Sequence, residues 1–329
     1  MKKLINKVDD VLNEALDGFA AAHSEIVELG EDREFVRRRH IKTGKVALIS
    51  GGGAGHEPLH AGFVGLGMLD AACPGQVFTS PTPNQMMNAA QAVDGGAGVL
   101  FIVKNYSGDM MNFQMAAELL DQENATVLVN DDVAVEDSTY TTGRRGVAGT
   151  LVVEKILGAA AERGYSLQEL KLLGDEVNKH TASMGVALSS CTVPAAGKPT
   201  FQIGADEIEV GVGIHGEPGR RRTKMMTADE IALELTQAIS KDLALKDDQE
   251  VILLVNGFGG TPLLELYVMV NAVQKILASK GIKIARHLTG SYVTSLDMAG
   301  CSITLTVADS KLLSLWDSPV HTAALRWGS

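Results

Sequence analysis

The sequence predicts an α/β protein of two domains, each a largely parallel or mixed sheet flanked by helices, with a substrate cleft between them. The first observation behind this is a recurring pattern. Apolar runs at 45–50, 99–103, 126–129 and 251–255 each stop at glycine or polar residues, and three of them then lead into a helical periodicity. Strands separated by helices of about 10–15 residues imply crossover connections and parallel pairing. The second is length, since 329 residues are long for one core. The third is composition: 35 Gly against 9 Pro, with 45% hydrophobic and 21% charged residues, fits a globular chain with many tight strand-to-helix turns. Residues 191–200, with Pro194, Gly197 and Pro199, read as the interdomain passage, and the domains are placed at 1–185 and 186–329.

In chain order, Val8, Val11, Leu12, Leu16 and Phe19 form the stripe of an amphipathic helix over 7–22, with a short strand following at 25–29. The strand 45–50 ends in the triple glycine 51–53. A second strand is expected at 76–79, stopped by Ser80-Pro-Thr-Pro, then a helix at 84–93. The third strand, 99–103, gives way to Lys104-Asn-Tyr-Ser-Gly-Asp109 and a helix at 110–120, and the fourth is 126–129. A loop over 133–146 leads to a helix at 147–161. Ser166 and Glu169 have capping-box spacing for a helix toward Lys179, as do Thr227 and Glu230 for a helix to about Ile239. The alternation of Ile208, Val210, Val212 and Ile214 predicts a half-buried strand ending at His215. A strand at 251–255, a helix at 263–277, strands at 283–288 and 302–306 and a short helix at 309–315 complete the chain.

Composition narrows the function. A net charge of −11 argues against a nucleic-acid surface, and the one dense basic run, 220–222, reads as a solvated loop. Cys73, Cys191 and Cys301 are widely spaced without C-x-x-C, as expected of small buried residues in a reducing compartment. The N-terminus meets Asp9 and Asp10 before any long apolar run, and no stretch is long enough to span a bilayer; a cytoplasmic protein is expected.

Ligands of parallel sheets bind outside the carboxyl ends of the strands, and here successive ends present His56, Ser80 and Asp109. The run Gly-Gly-Gly-Ala-Gly-His-Glu-Pro at 51–58 lacks the Gly-Lys-Ser/Thr ending of a phosphate loop and the spacing of a dinucleotide site, which leaves close backbone approach of a small oxygen-rich ligand beside His56. Its near-echo, Gly-Ile-His-Gly-Glu-Pro-Gly at 213–219, places His215 after two bare glycines. Asp109, read alone, is an N-terminal helix cap; read with His56, it is a carboxylate base. No G-x-S-x-G elbow is present. Asn130-Asp131-Asp132 reads as a solvated turn rather than a metal site.

These blocks, with F-T-S-P-T-P, V-K-N-Y-S-G-D, V-N-D-D-V-A-V-E-D-S, T-T-G-R-R-G-V-A-G-T, C-T-V-P-A-A-G-K-P and V-N-G-F-G-G-T-P, run in order over nearly the whole chain and resemble the dihydroxyacetone (glycerone) kinase family, K type. The resemblance implies that His215 binds the ketone covalently as a hemiaminal and that His56 and Asp109 are the acid/base pair. It also implies that Gly53, Ser80, Lys104 and Gly108 line the substrate, with no metal or cofactor in this chain. Ala54 and Asn84 depart from the pattern, where Ser and Asp are expected. The family's ATP-dependent members carry a fused helical nucleotide domain. Nothing here resembles one, so the expectation is a separate, homodimeric K subunit of a phosphoenolpyruvate-dependent phosphotransferase. Its partners would be an L subunit holding ADP and magnesium and, indirectly, an M subunit of the phosphotransferase system, with loop 133–146 the candidate surface for the L subunit. The competing class is a K-like paralogue that senses dihydroxyacetone and co-activates a transcription regulator without phosphoryl transfer.

Overall fold

A computed structural model describes residues 2–134, 143–217 and 219–328. The chain divides into two compact units. One comprises Met1–Val129, Val153–Glu176 and Ser314–Ser329, and the other Asn130–Val152 and Val177–Leu313. The boundary expected at 185/186 falls inside a strand of the second unit, Thr181–Ala187. That strand, T-A-S-M-G-V-A, has few β-branched residues and no alternation to announce it. The Pro/Gly-rich stretch 191–200 is a loop within the second unit.

In the first unit, helix α1 (Val11–Ala22) precedes strands β1 (Val27–Leu29), β2 (Val36–Arg38), β3 (Ala47–Ala54) and β4 (Gly65–Leu66). Then come β5 (Ala71–Val77), helix α2 (Pro83–Ala92), β6 (Val99–Lys104), α3 (Ser107–Leu119) and β7 (Asn124–Val129). The main sheet runs β1-β2-β5-β3-β6-β7. Its β5, β3, β6 and β7 are mutually parallel, the expected crossover core, with β2 antiparallel at the flank. Two strands differ from expectation. β3 does not stop at Ser50 but carries the glycines within it, with Gly51, Gly52 and Gly53 opposite Cys73, Pro74 and Gly75. β5 begins at Ala71, five residues before the expected start, because its buried Ala-Ala-Cys segment carries no bulky apolar side chains. Ile49, Phe101 and Val103 from the sheet pack against Met86, Ala89, Phe113 and Ala116 from α2 and α3. Each large side chain so buried stabilises the fold by about 1.5–3 kcal/mol.

Helices α4 (Gly149–Glu162) and α5 (Leu167–Lys179) lead to β8 (Thr181–Ala187), β9 (Glu207–Val210), β10 (Arg221–Lys224), α6 (Ala228–Asp242) and β11 (Glu250–Gly257). The chain continues through α7 (Leu263–Ser279), β12 (Lys283–Gly290), β13 (Gly300–Val307), α8 (Ser310–Trp316), β14 (Val320–Thr322) and β15 (Arg326–Trp327). The second sheet, β10-β9-β8-β13-β11-β12, is mixed and pairs in parallel only between β11 and β12. A small sheet, β15-β14-β4, belongs to the first unit. Both expected capping boxes form: Ser166 Oγ accepts from the Glu169 backbone N–H and Thr227 Oγ1 from that of Glu230, while each glutamate accepts in return. The basic run 220–222 is not a loop: Arg221 opens the edge strand β10, where it pairs with Glu234 at 2.7 Å and Arg222 with Glu209 at 3.1 Å. Among the described residues no helix is long and apolar enough to cross a membrane. The three cysteines are free and buried.

Candidate active site

The first unit gathers its functional groups at the carboxyl ends of β3, β5 and β6. Lys104, the last residue of β6, is buried, and its Nζ donates to the Gly51 carbonyl at 3.1 Å. A Cβ on Gly52 would stand 2.5 Å from that Nζ, so the missing side chain is what lets the amine lie against the strand. Asp109 sits in the first turn of α3 without capping it: Oδ1 accepts from Ser80 Oγ, and Oδ2 faces Lys104 Nζ at 3.4 Å. The cap reading is thereby replaced, because Ser80 and Lys104 hold the carboxylate. Gly108 permits the Ser80 contact, since a Cβ there would come within 2.8 Å of the hydroxyl. Gly53 packs under the Phe78–Thr79 backbone, where a Cβ would meet Thr79 N at 2.5 Å. His56 is buried and stacked on Phe78, with ring centroids 5.0 Å apart and planes at 20°. His56, Ser80, Lys104, Gly108 and Asp109 thus belong to one end of one sheet.

Sequence reasoning missed two groups behind them. His60 Nε2 lies 2.9 Å from Lys104 Nζ, and its Nδ1 lies 2.6 Å from Glu154 Oε1 and 3.0 Å from Ser50 Oγ. Burial holds His60 well below the usual imidazole value, helped by the Lys104 charge and His56. Burial likewise pushes Glu154 up to about 8, against the pull of Lys104. The available signal was Glu154 itself, a charge inside the apolar run Leu-Val-Val-Glu-Lys-Ile-Leu of α4.

In the second unit His215 does not end a strand. β9 stops at Val210 because Gly211 takes φ +81°, and a turn carries the chain on to His215. Glu217 folds back over Gly213, where a Cβ would collide with its carboxylate at 2.1 Å. One Glu217 oxygen accepts from the His215 backbone N–H at 2.8 Å, and the other stands 3.7 Å from His215 Nδ1, a charge contact rather than a hydrogen bond. Fully buried Arg145 approaches that same oxygen at 3.7 Å, pairs with Asp132 at 2.6 Å, and donates to the Gly211 carbonyl at 2.7 Å. Burial opposes the Glu217 charge, but the facing His215 and Arg145 outweigh it and hold the carboxyl below its usual value. Glu57 reproduces the motif in the first unit, accepting from Gly55 N–H at 3.1 and 3.0 Å.

The turn 130–132 is not solvated. Asp131 and Asp132 are buried, Asp131 accepting from Val147 N, Gly149 N and Ser183 Oγ, and Asp132 from Ala134 N and Arg145. These carboxylates secure the start of α4 and the Arg145 cluster, and no group of three metal-ligating side chains occurs among the described residues. Of the candidate partner loop 133–146, residues 135–142 lie outside the described residues.

A parallel crossover sheet flanked by helices, with a carboxylate, an amine and an imidazole at its strand ends, defines an α/β protein. A Dak1 domain matches residues 17–324, and the chain belongs to that family, the dihydroxyacetone kinases. It is 51% identical over 328 residues to the dihydroxyacetone-binding subunit DhaK of a PTS-dependent dihydroxyacetone kinase from Listeria innocua, across 98% of this chain and 100% of that one. It is 49% identical to the DhaK subunit of the PEP-dependent kinase of Escherichia coli K12, across 100% of both chains. Among solved structures, the dihydroxyacetone kinase operon co-activator Dha-DhaQ superposes with a TM-score of 0.90 at 34% identity, over 97% of this chain and 98% of that one.

Proposed function

We propose that this chain is the dihydroxyacetone-binding subunit of a phosphoenolpyruvate-dependent dihydroxyacetone kinase. His215 binds the ketone as a hemiaminal, and one terminal hydroxyl is phosphorylated by an ADP- and magnesium-carrying L subunit recharged by an M subunit. The chain acts as a homodimer in the cytoplasm, with no cofactor of its own. The observation that carries the reading is the Asp109 constellation, a buried carboxylate held by Ser80 and Lys104 where a base is needed.

The chemistry follows from the groups. The Glu217 carboxylate, 3.7 Å from Nδ1 of His215, favours the ring proton on that side electrostatically, which leaves Nε2 as the nucleophile. Nε2 adds to the carbonyl carbon, the carbonyl π pair moves to oxygen, and that oxygen takes a proton from water. The imidazolium so formed, stabilised by the nearby carboxylate, passes its Nδ1 proton to the hydroxide left by that water, which leaves the neutral hemiaminal. Glycerol has no carbonyl and is excluded. Asp109 takes the proton of the hydroxyl that attacks the phosphoryl group, His56 orients the substrate oxygens, and Gly53, Ser80, Lys104 and Gly108 line them. His215→Ala is expected to keep the fold and lose the dihydroxyacetone adduct in intact-mass spectrometry; an adduct persisting in that variant refutes the assignment.

The similarity to a co-activator favours a second reading, a dihydroxyacetone sensor that transfers no phosphoryl group. A sensor needs His215 but no base, so the retained Asp109 supports the kinase. Reconstitution with L and M subunits and phosphoenolpyruvate decides between them: binding without formation of dihydroxyacetone phosphate identifies the sensor.

A further inference from the structure

Behind the proposed substrate groups runs a chain of buried polar contacts, Glu154 Oε1 to His60 Nδ1 at 2.6 Å and His60 Nε2 to Lys104 Nζ at 2.9 Å. The direction of each bond is fixed by what an ammonium can do. Lys104 has donors and no acceptor, so Nε2 of His60 must accept from it, which places the ring proton on Nδ1, where it donates to Glu154. Ser50 Oγ donates to the Ile102 carbonyl at 2.7 Å and lies 3.0 Å from the same Nδ1, so it accepts from that nitrogen alongside Glu154. The second oxygen of Glu154 makes no hydrogen bond among the described residues, and beside His60 only Ser50 and the Lys104 charge act on that carboxyl. A merely structural cluster of this kind is replaceable by apolar side chains at little cost, since buried ion pairs rarely stabilise more than good packing. This one ends at an amine pressed against the glycine strand and beside Asp109.

We infer that His60 and Glu154 are positioning residues for Lys104, holding its ammonium against Gly51 and Gly52 in the orientation that receives a substrate oxygen. The inference rests on the reading of Lys104 as a substrate-lining residue and extends it by two residues that touch no ligand. Without the imidazole, Lys104 loses one of its fixed acceptors and the aim of its remaining protons. Without the carboxyl, the imidazole is free to take the other tautomer and turn a donor toward the ammonium. The conservative Glu154→Gln keeps an oxygen that accepts from Nδ1–H and should restore the arrangement that Glu154→Leu destroys.

The test has three parts. In the wild-type protein, 15N spectra of the imidazoles should show His60 with Nε2 unprotonated at neutral pH; a protonated Nε2 overturns the inference without any variant. In His60→Phe and Glu154→Leu, dihydroxyacetone should bind at least about tenfold more weakly by calorimetry, the loss expected for one charge-assisted hydrogen bond. The Lys104 Nζ resonance, assigned by its absence from Lys104→Met, should move in both, and Glu154→Gln should restore affinity and resonance together. Wild-type affinity in His60→Phe and Glu154→Leu, with Lys104→Met impaired, overturns the positioning role alone. Wild-type affinity in Lys104→Met refutes the reading of Lys104 and this inference with it.

Discussion

Gly52→Ala isolates what the glycine strand does. β3 is regular there and its pairing with Pro74 is kept, so an added methyl perturbs the space above the strand rather than the backbone. That space holds Lys104 Nζ at 2.5 Å from the new Cβ and Asp109 Oδ2 at 3.6 Å, so the amine must retreat by about 1 Å to reach ordinary van der Waals contact. The retreat stretches its bonds to the Gly51 carbonyl, now 3.1 Å, and to His60, now 2.9 Å. A hydrogen bond from a charged donor is worth about 1.5–3 kcal/mol. Losing one bond's worth of that predicts a destabilisation of about 2 kcal/mol. If the amine also binds substrate, affinity falls by more than about tenfold. Urea unfolding gives the first quantity and calorimetric titration with dihydroxyacetone the second. Unchanged stability would refute the argument that the bare strand exists to admit Lys104, and unchanged affinity with folded protein would refute a substrate contact by the amine.

Gly108→Ala should separate stability from activity. In the first turn of α3 alanine gains only part of the roughly 1 kcal/mol interior helix propensity while its methyl crowds Ser80 Oγ, so unfolding shifts by less than about 1 kcal/mol but reconstituted turnover drops severalfold. Glu217→Gln tests the acid limb. The native carboxyl lies below its ordinary 4.5, so its stabilisation is present above that pH and is lost as pH falls through the native value. The melting temperatures of the two proteins should therefore differ at neutral pH and converge in acid, and a constant difference would exclude Glu217 as its source. Gly18→Ala lies in the interior of α1 with nothing within 4 Å of the new Cβ, and chemical denaturation should show a gain of about 0.5–1 kcal/mol.

Local signals carried the helices and the parallel core. Capping boxes at Ser166 and Thr227 marked helix starts, and the apolar runs of β6, β7 and β11 marked strands because bulky β-formers fill them. What was not legible is non-local. β8 inserts between β9 and β13 through pairings more than a hundred residues apart in sequence on one side, which no window of residues reveals. The glycines of β3 looked like a loop because glycine disfavours strands in isolation. They are strand because Cys73, Lys104 and Thr79 crowd the positions where side chains would be. The placing of His56 and Asp109 at the strand ends of one sheet was legible in the pattern of strands and loops, whereas His215 sits on a turn beyond β9. Their supports were not: His60 and Glu154 are 94 positions apart, and Arg145 reaches Gly211 across 66.

Arg145 deserves its place in any effort to widen substrate range. It is wedged among Asp132, the Gly211 carbonyl and Glu217, so the loop bearing His215 is clamped to a chain segment much earlier in the sequence. Libraries confined to residues near the ketone would leave that clamp intact. Random mutagenesis would break it often and register as lost reactivity, although the guanidinium itself has no chemical part in the proposed addition.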